Sequence, residues 1–85
     1  MKPAIFHPEA EEEFLAAITY YDEHAQGSGD RFYDEIRRLT AEIEATPQLH
    51  RLWRHGTRRH LARRFPYALV YVERPTQLAV LAVAH

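Results

Sequence analysis

The stretch RRHLARRFPYALVYVE, residues 58–73, places four arginines and a histidine within seven positions and then turns apolar and aromatic. Its second part, residues 68–73, is rich in β-branched and aromatic side chains, which suit a pleated, half-buried surface. Its first part extends a strand predicted over residues 57–65. Strand alternation puts Leu61, Phe65 and the stems of Arg59 and Arg63 on one face, and Arg58, His60, Ala62 and Arg64 on the other. Pro66 has no amide hydrogen to give a ladder and marks the break between the two strands. A cationic strand beside an apolar one describes a sheet with a charged rim and an apolar middle.

Working outward, Arg74-Pro75-Thr76 is a tight turn. Residues 77–84, QLAVLAVA, are apolar on both faces and predict a central strand. On the other side, residues 48–57 contain Trp53 and Gly56 and read as irregular. Thr46-Pro47 closes a helix whose apolar stripe is Phe32, Ile36, Leu39 and Ile43. Its predicted cap is Ser28 or Asp30, at the end of the turn Gln26-Gly27-Ser28-Gly29-Asp30. A preceding helix starts at Pro8, which fits the first turn, and carries Glu9, Glu11, Glu12 and Glu13 near its positive end. Phe14, Ala17, Ile18 and Tyr21 form its apolar face, with Leu15 beside them. Tyr20, Tyr21, Phe32, Ile36 and Leu39 are assigned to the core. Ala4-Ile5-Phe6-His7 is a short first strand.

The order is β-α-α-β-β-β. It predicts an α+β fold with a helical hairpin packed on one face of a small, mainly antiparallel sheet. No segment remains to cover the second sheet face, so that face is expected to bind a partner.

The length of 85 residues predicts one domain over residues 1–85. A composition of 46% hydrophobic and 27% charged residues is that of a folded chain and not a disordered one. The absence of cysteine excludes a disulfide framework, a thiol nucleophile and thiolate zinc sites, and fits a reducing cytoplasm. No apolar run approaches the roughly 20 residues of a membrane span. The N-terminal MKPAIFHPEAEEE has no signal-peptide core. The net charge of −1 conceals an asymmetry. Residues 1–50 carry four cations against eleven acids, whereas residues 51–85 carry seven arginines against Glu73 alone. A basic face of that kind suits a polyanion or an acidic protein partner.

The residue types narrow the chemistry. The only serine, Ser28, sits in a Gly-Ser-Gly turn, where helix capping accounts for it. None of the six histidines has an i, i+4 partner, and His50, His55 and His60 are five apart in non-helical sequence, so no metal site is expected. With no glycine-rich phosphate loop, no cofactor is expected. Glu11-Glu12-Glu13 reads as a solvated helix start. Arg58, Arg59, Arg63 and Arg64 have only Glu73 near them in the sheet. Helix acids such as Glu35 and Glu42 are expected to take some of them, leaving the others for phosphate or an acidic segment. RNA cleavage by 2′-hydroxyl attack requires a base, an acid and cations around the phosphate. His60, Arg64 and His85 are the candidates for those roles.

Several of these segments are familiar as a set. The helical pair HPEAEEEFLAAITYYDEHAQGSGDRFYDEIRRLTAEIEATPQLH, followed by RRHLARRFPYALVYVE and LAVLAVAH, resembles the RelE/ParE superfamily of type II toxin–antitoxin toxins. The resemblance spans essentially the whole chain. It rests on the order and spacing of Pro8-Glu9-Ala10, Tyr20-Tyr21, Gly29-Asp30-Arg31-Phe32 and Arg64-Phe65-Pro66-Tyr67 running into Leu69-Val70-Tyr71. It implies a cytoplasmic toxin that forms a hetero-oligomer with a cognate antitoxin, whose C-terminal segment typically wraps the toxin. The Tyr-Tyr and Phe-Pro-Tyr patterns are closer to the ParE-like branch, which implies non-enzymatic inhibition of DNA gyrase and a part in plasmid stabilisation. The RelE-like alternative implies a metal-independent endoribonuclease acting on mRNA at the ribosome, with His85 where some nuclease members place a late histidine. Against it stand Ala68, near where nuclease members often carry arginine, and a C-terminus without their usual tyrosine or basic tail. A third alternative is a non-toxic module that keeps the fold and its antitoxin. The antitoxin is expected on the open sheet face and its rim, at Arg58, His60, Arg64 and Tyr71.

Overall fold

The computed structural model describes residues 1–85. Strand β1 (Ala4–Phe6) leads into helix α1 (Pro8–His24), and a short turn connects to α2 (Ser28–Ala45). Strands β2 (Arg51–Leu52), β3 (Arg58–Leu61), β4 (Ala68–Glu73) and β5 (Leu78–Ala84) follow. The sheet order is β1-β5-β4-β3-β2. β1 runs parallel to β5, and every other pair is antiparallel. The two apolar strands therefore lie inside and the arginine strands toward one rim, as the sequence predicts.

Both helices cover the same sheet face. Ala10 and Ala17 of α1 and Phe32, Ile36, Leu39 and Ile43 of α2 meet Leu69, Tyr71, Leu78, Val80 and Val83 in one core. α1 keeps small residues at its closest approach, while α2 contributes the bulk. Tyr20, assigned to the core, is instead 53% exposed, resting edge-on against Tyr21 and stacked on His24. It falls just off the 3-4 stripe that Tyr21 occupies.

The start of α2 also differs from expectation. Neither Ser28 nor Asp30 caps it. The cap residue is Gly27, in the left-handed region at φ 83°. The Gly29 amide donates instead to Asp22 Oδ1 of α1 at 2.9 Å, so one helix caps the other. The Ser28 hydroxyl accepts from Arg31.

One strand boundary and one missing strand are corrected. β3 ends at Leu61 and does not run on to Phe65. The chain bends through Arg64, at φ 64°, and sends Phe65 and Tyr67 back toward the helices. Phe65 packs 5.0 Å from Tyr21 and 5.2 Å from Phe32, and Tyr67 lies 5.0 Å from Phe32, centroid to centroid. Burying two aromatic rings outweighs a few more edge ladder bonds. Residues 48–57 are also not wholly irregular, since β2 pairs with β3 and Arg54–Gly56 forms a 3₁₀ turn. β4 and β5 slip register at Val70/Tyr71. The carboxylate of Glu13, read as a solvated helix residue, accepts the Val83 amide at 3.0 Å.

Candidate functional site

Three surfaces combine charge with exposed apolar groups. The first is the helix-covered end of β3. Arg58 lies opposite Tyr71, and His60 opposite Leu69, so both point to the covered face. His60 Nε2 meets Glu42 Oε1 at 2.7 Å, and its ring stacks on His50 at 3.9 Å between centroids. Arg58 donates to the His50 carbonyl at 2.8 Å. The His60 hydrogen bond, then Arg38, hold the Glu42 carboxyl below its usual range. Burial, then His60, push the His50 imidazole down. Tyr71 is fully buried and donates its hydroxyl to the Pro47 carbonyl at 2.6 Å. Burial pushes its pKa up to about 12.

The second is a groove of about 580 Å³ between α2 and the bend after β3, lined by Arg31, Asp34, Glu35, Arg38, Arg63, Arg64 and Phe65. Here Arg38 takes both acids expected to pair with the strand arginines. Its guanidinium bonds Glu35 at 2.7 Å and Glu42 at 2.9 Å. These i, i+3 and i, i+4 pairs need no long-range closure, so they form ahead of partners from the sheet. Arg63 reaches Glu35 only through its backbone amide. Arg64 is exposed and forms no ion pair.

The third is the open sheet face with the β2–β3 hairpin. Arg59 lies opposite Val70, and Leu61 opposite Ala68, which places both on the side away from the helices. Ile5 is 45% exposed, Leu61 57% and Trp53 39%. A groove of about 240 Å³ runs along this side between Trp53, Arg59, Leu61, Pro66, Ala84 and His85.

The alternation predicted for β3 thus holds, but its sidedness is reversed. Arg58, His60 and Tyr71, expected on the open face, belong to the covered one. The apolar partners of the helices claim that side, and His60 follows them to reach Glu42. Of the four expected rim residues, Arg64 alone is exposed. The three residues of the nuclease alternative do not meet. His60 lines a depression with Leu49, His50, Arg51, Arg59 and Leu61, Arg64 lines the α2 groove, and His85 packs against Tyr67. The sequence names His50 and His60 but gives no sign that their rings stack. Their ten-residue separation gives no local signal, because the β2–β3 turn brings them together. The hairpin arginines Arg51 and Arg54 were passed over for want of a recognised β2.

The family model of the ParE toxin of the type II toxin–antitoxin system, parDE, matches residues 4–85. No curated protein matches the chain in sequence. Among solved structures it is similar to a chain of the chromosomal ParDE TA system from P. aeruginosa, with a TM-score of 0.76 at 12% identity, covering 100% of this chain and 96% of that one. At that identity the likeness concerns the fold, a helical hairpin on one face of a mixed sheet. The match over residues 4–85 carries the assignment further: the chain belongs to the ParE toxin family of type II toxin–antitoxin systems.

Proposed function

We propose that the protein inhibits DNA gyrase and is neutralised by a cognate antitoxin that covers its open sheet face. Family membership over residues 4–85 carries this reading. The dispersal of His60, Arg64 and His85 over three depressions supports a non-enzymatic action, since acid, base and cation would have to converge on one phosphate. Exposed Ile5 and Leu61 on the open face suit an apolar antitoxin segment. Arg64 is the expected rim residue best placed for one of its carboxylates. Arg58 and His60 add only their exposed edges, and Tyr71 supports the strand from beneath. Inducing the chain alone in bacteria and following thymidine and methionine incorporation tests the reading. Early loss of DNA synthesis with translation continuing is the expected result. Early loss of translation would favour the ribonuclease alternative, and no loss of either would favour a non-toxic antitoxin-binding module.

A further inference from the structure

The 28 residues between Glu44 and Glu73 contain six arginines, three histidines and no acid. The chain's ion pairs are Lys2–Glu73, Arg38–Glu35 and Arg38–Glu42, beside a His60–Glu42 hydrogen bond, so none of the six arginines is ion-paired with an acid. The β2–β3 hairpin concentrates them. Arg51 and Arg59 are direct cross-strand partners, an arrangement in which like charges repel. Arg59 and Arg54 both lie over the Trp53 ring, at 5.3 and 5.2 Å from its centroid. Arg59 Nε is buried without a hydrogen-bond partner.

Keeping a sheet edge from pairing with another chain accounts for one charge on β2. It does not account for Arg59 one strand further in, or for Arg54 in the turn. That turn is fixed. The Trp53 amide donates to the Thr57 carbonyl at 2.8 Å, while the Thr57 amide and hydroxyl both donate to the Arg54 carbonyl. Two guanidiniums already lie against the indole, so the hairpin turns outward planar, weakly hydrated cations and not an empty apolar socket. Its β2 edge, two residues long, offers little ladder to an added peptide strand. Planar guanidinium forks match phosphate oxygens, which they bind in bidentate fashion.

We propose that Arg51, Arg54 and Arg59, held on the Trp53-centred hairpin, form a binding site for the phosphodiester backbone of nucleic acid. The site lies apart from Arg64 and the α2 groove, and it does not depend on the gyrase reading. Three phosphate contacts give a slope of log affinity against log salt of about −2.7, or roughly 40-fold weaker binding between about 50 and 200 mM salt.

Fluorescence anisotropy of a short labelled DNA duplex, with the purified full chain added over that salt range, measures this slope. The variant Arg51→Gln/Arg54→Gln/Arg59→Gln should lose both the binding and the slope. The variant Arg31→Gln/Arg37→Gln/Arg74→Gln removes the same charge from exposed positions elsewhere and should retain both. Replacing the three hairpin arginines with lysine should restore the slope at reduced affinity, which separates charge loss from a folding defect in the glutamine variant. A labelled single-stranded RNA of equal length identifies which nucleic acid is preferred, and tighter binding of either one supports the site. No binding by the wild type at the lower salt would overturn the proposal, as would equal losses in the hairpin and control variants. Equal affinity and slope for a poly-glutamate peptide would also overturn it, making the hairpin a dock for an acidic protein segment.

Discussion

Gly29 holds the corner between the helices because nothing larger fits there. A β-carbon at this position would stand 2.3 Å from Asp22 Oδ1, the atom that accepts the Gly29 amide. Gly29→Ala forces that carboxylate away and costs both the overpacking, roughly 1–3 kcal/mol, and the cap. Asp22→Ala alone removes the cap for about 1 kcal/mol. With Asp22 truncated, Gly29→Ala costs less than it does alone. Urea unfolding of the two single variants and the double variant measures the coupling, and strictly additive effects would contradict this contact. The sequence marked this corner correctly as a turn. The Asp22 cap was not legible there, because it acts across seven residues and two helices, whereas Ser28 offered the ordinary local signal. Tyr71 shows the same limit. Its strand was plain from the run of β-branched and aromatic residues, but its face depended on which side the helices took.

At the scale of elements, α2 is the best-read piece of the molecule. Its stripe Phe32, Ile36, Leu39 and Ile43 is fully buried, as helical spacing requires. Its polar side fixes the charge distribution, since Arg38 bridges Glu35 and Glu42 and leaves the strand arginines without acids. This side also sets a dependence on pH. His50 faces His60, Glu42, Arg58 and Tyr71. Burial and then His60 hold its pKa below the ordinary 6.5. The unfolded chain therefore takes up this proton first, and stability present above 6.5 is lost as pH falls below it. Glu35 and Glu42 are shifted down chiefly by hydrogen bonds from Arg38 and His60, respectively. Their contribution is present above the ordinary 4.5 and is lost as pH falls through the lowered values. Denaturation midpoints should thus fall in two stages on acidification. His50→Gln should flatten the first stage and leave the second, and an unchanged first stage would exclude His50 as its source. β3 was half legible. Its alternation came through, but its end did not, because Phe65 and Tyr67 satisfy a distant aromatic cluster that no local pattern announces.

Across the whole molecule, the charge split of the sequence becomes a division of labour. The acidic half builds the helices that cover one sheet face. The basic half builds the rim and leaves the other face without a helix over it. Fold class and the chain order of the main elements could be read from the sequence because they follow from counting amphipathic elements, whereas the two-residue β2 left no such signal. The functional surface was legible in its composition and not in its placement, since which arginines remain free depends on contacts between distant elements. On the proposed reading, the protein inhibits gyrase and does not cleave RNA. Supercoiling of relaxed plasmid by purified DNA gyrase, titrated with the free folded protein, tests it most directly. Supercoiling is expected to be lost as the protein is added and to return when the cognate antitoxin is supplied. Undiminished supercoiling at a large molar excess of folded protein would contradict it.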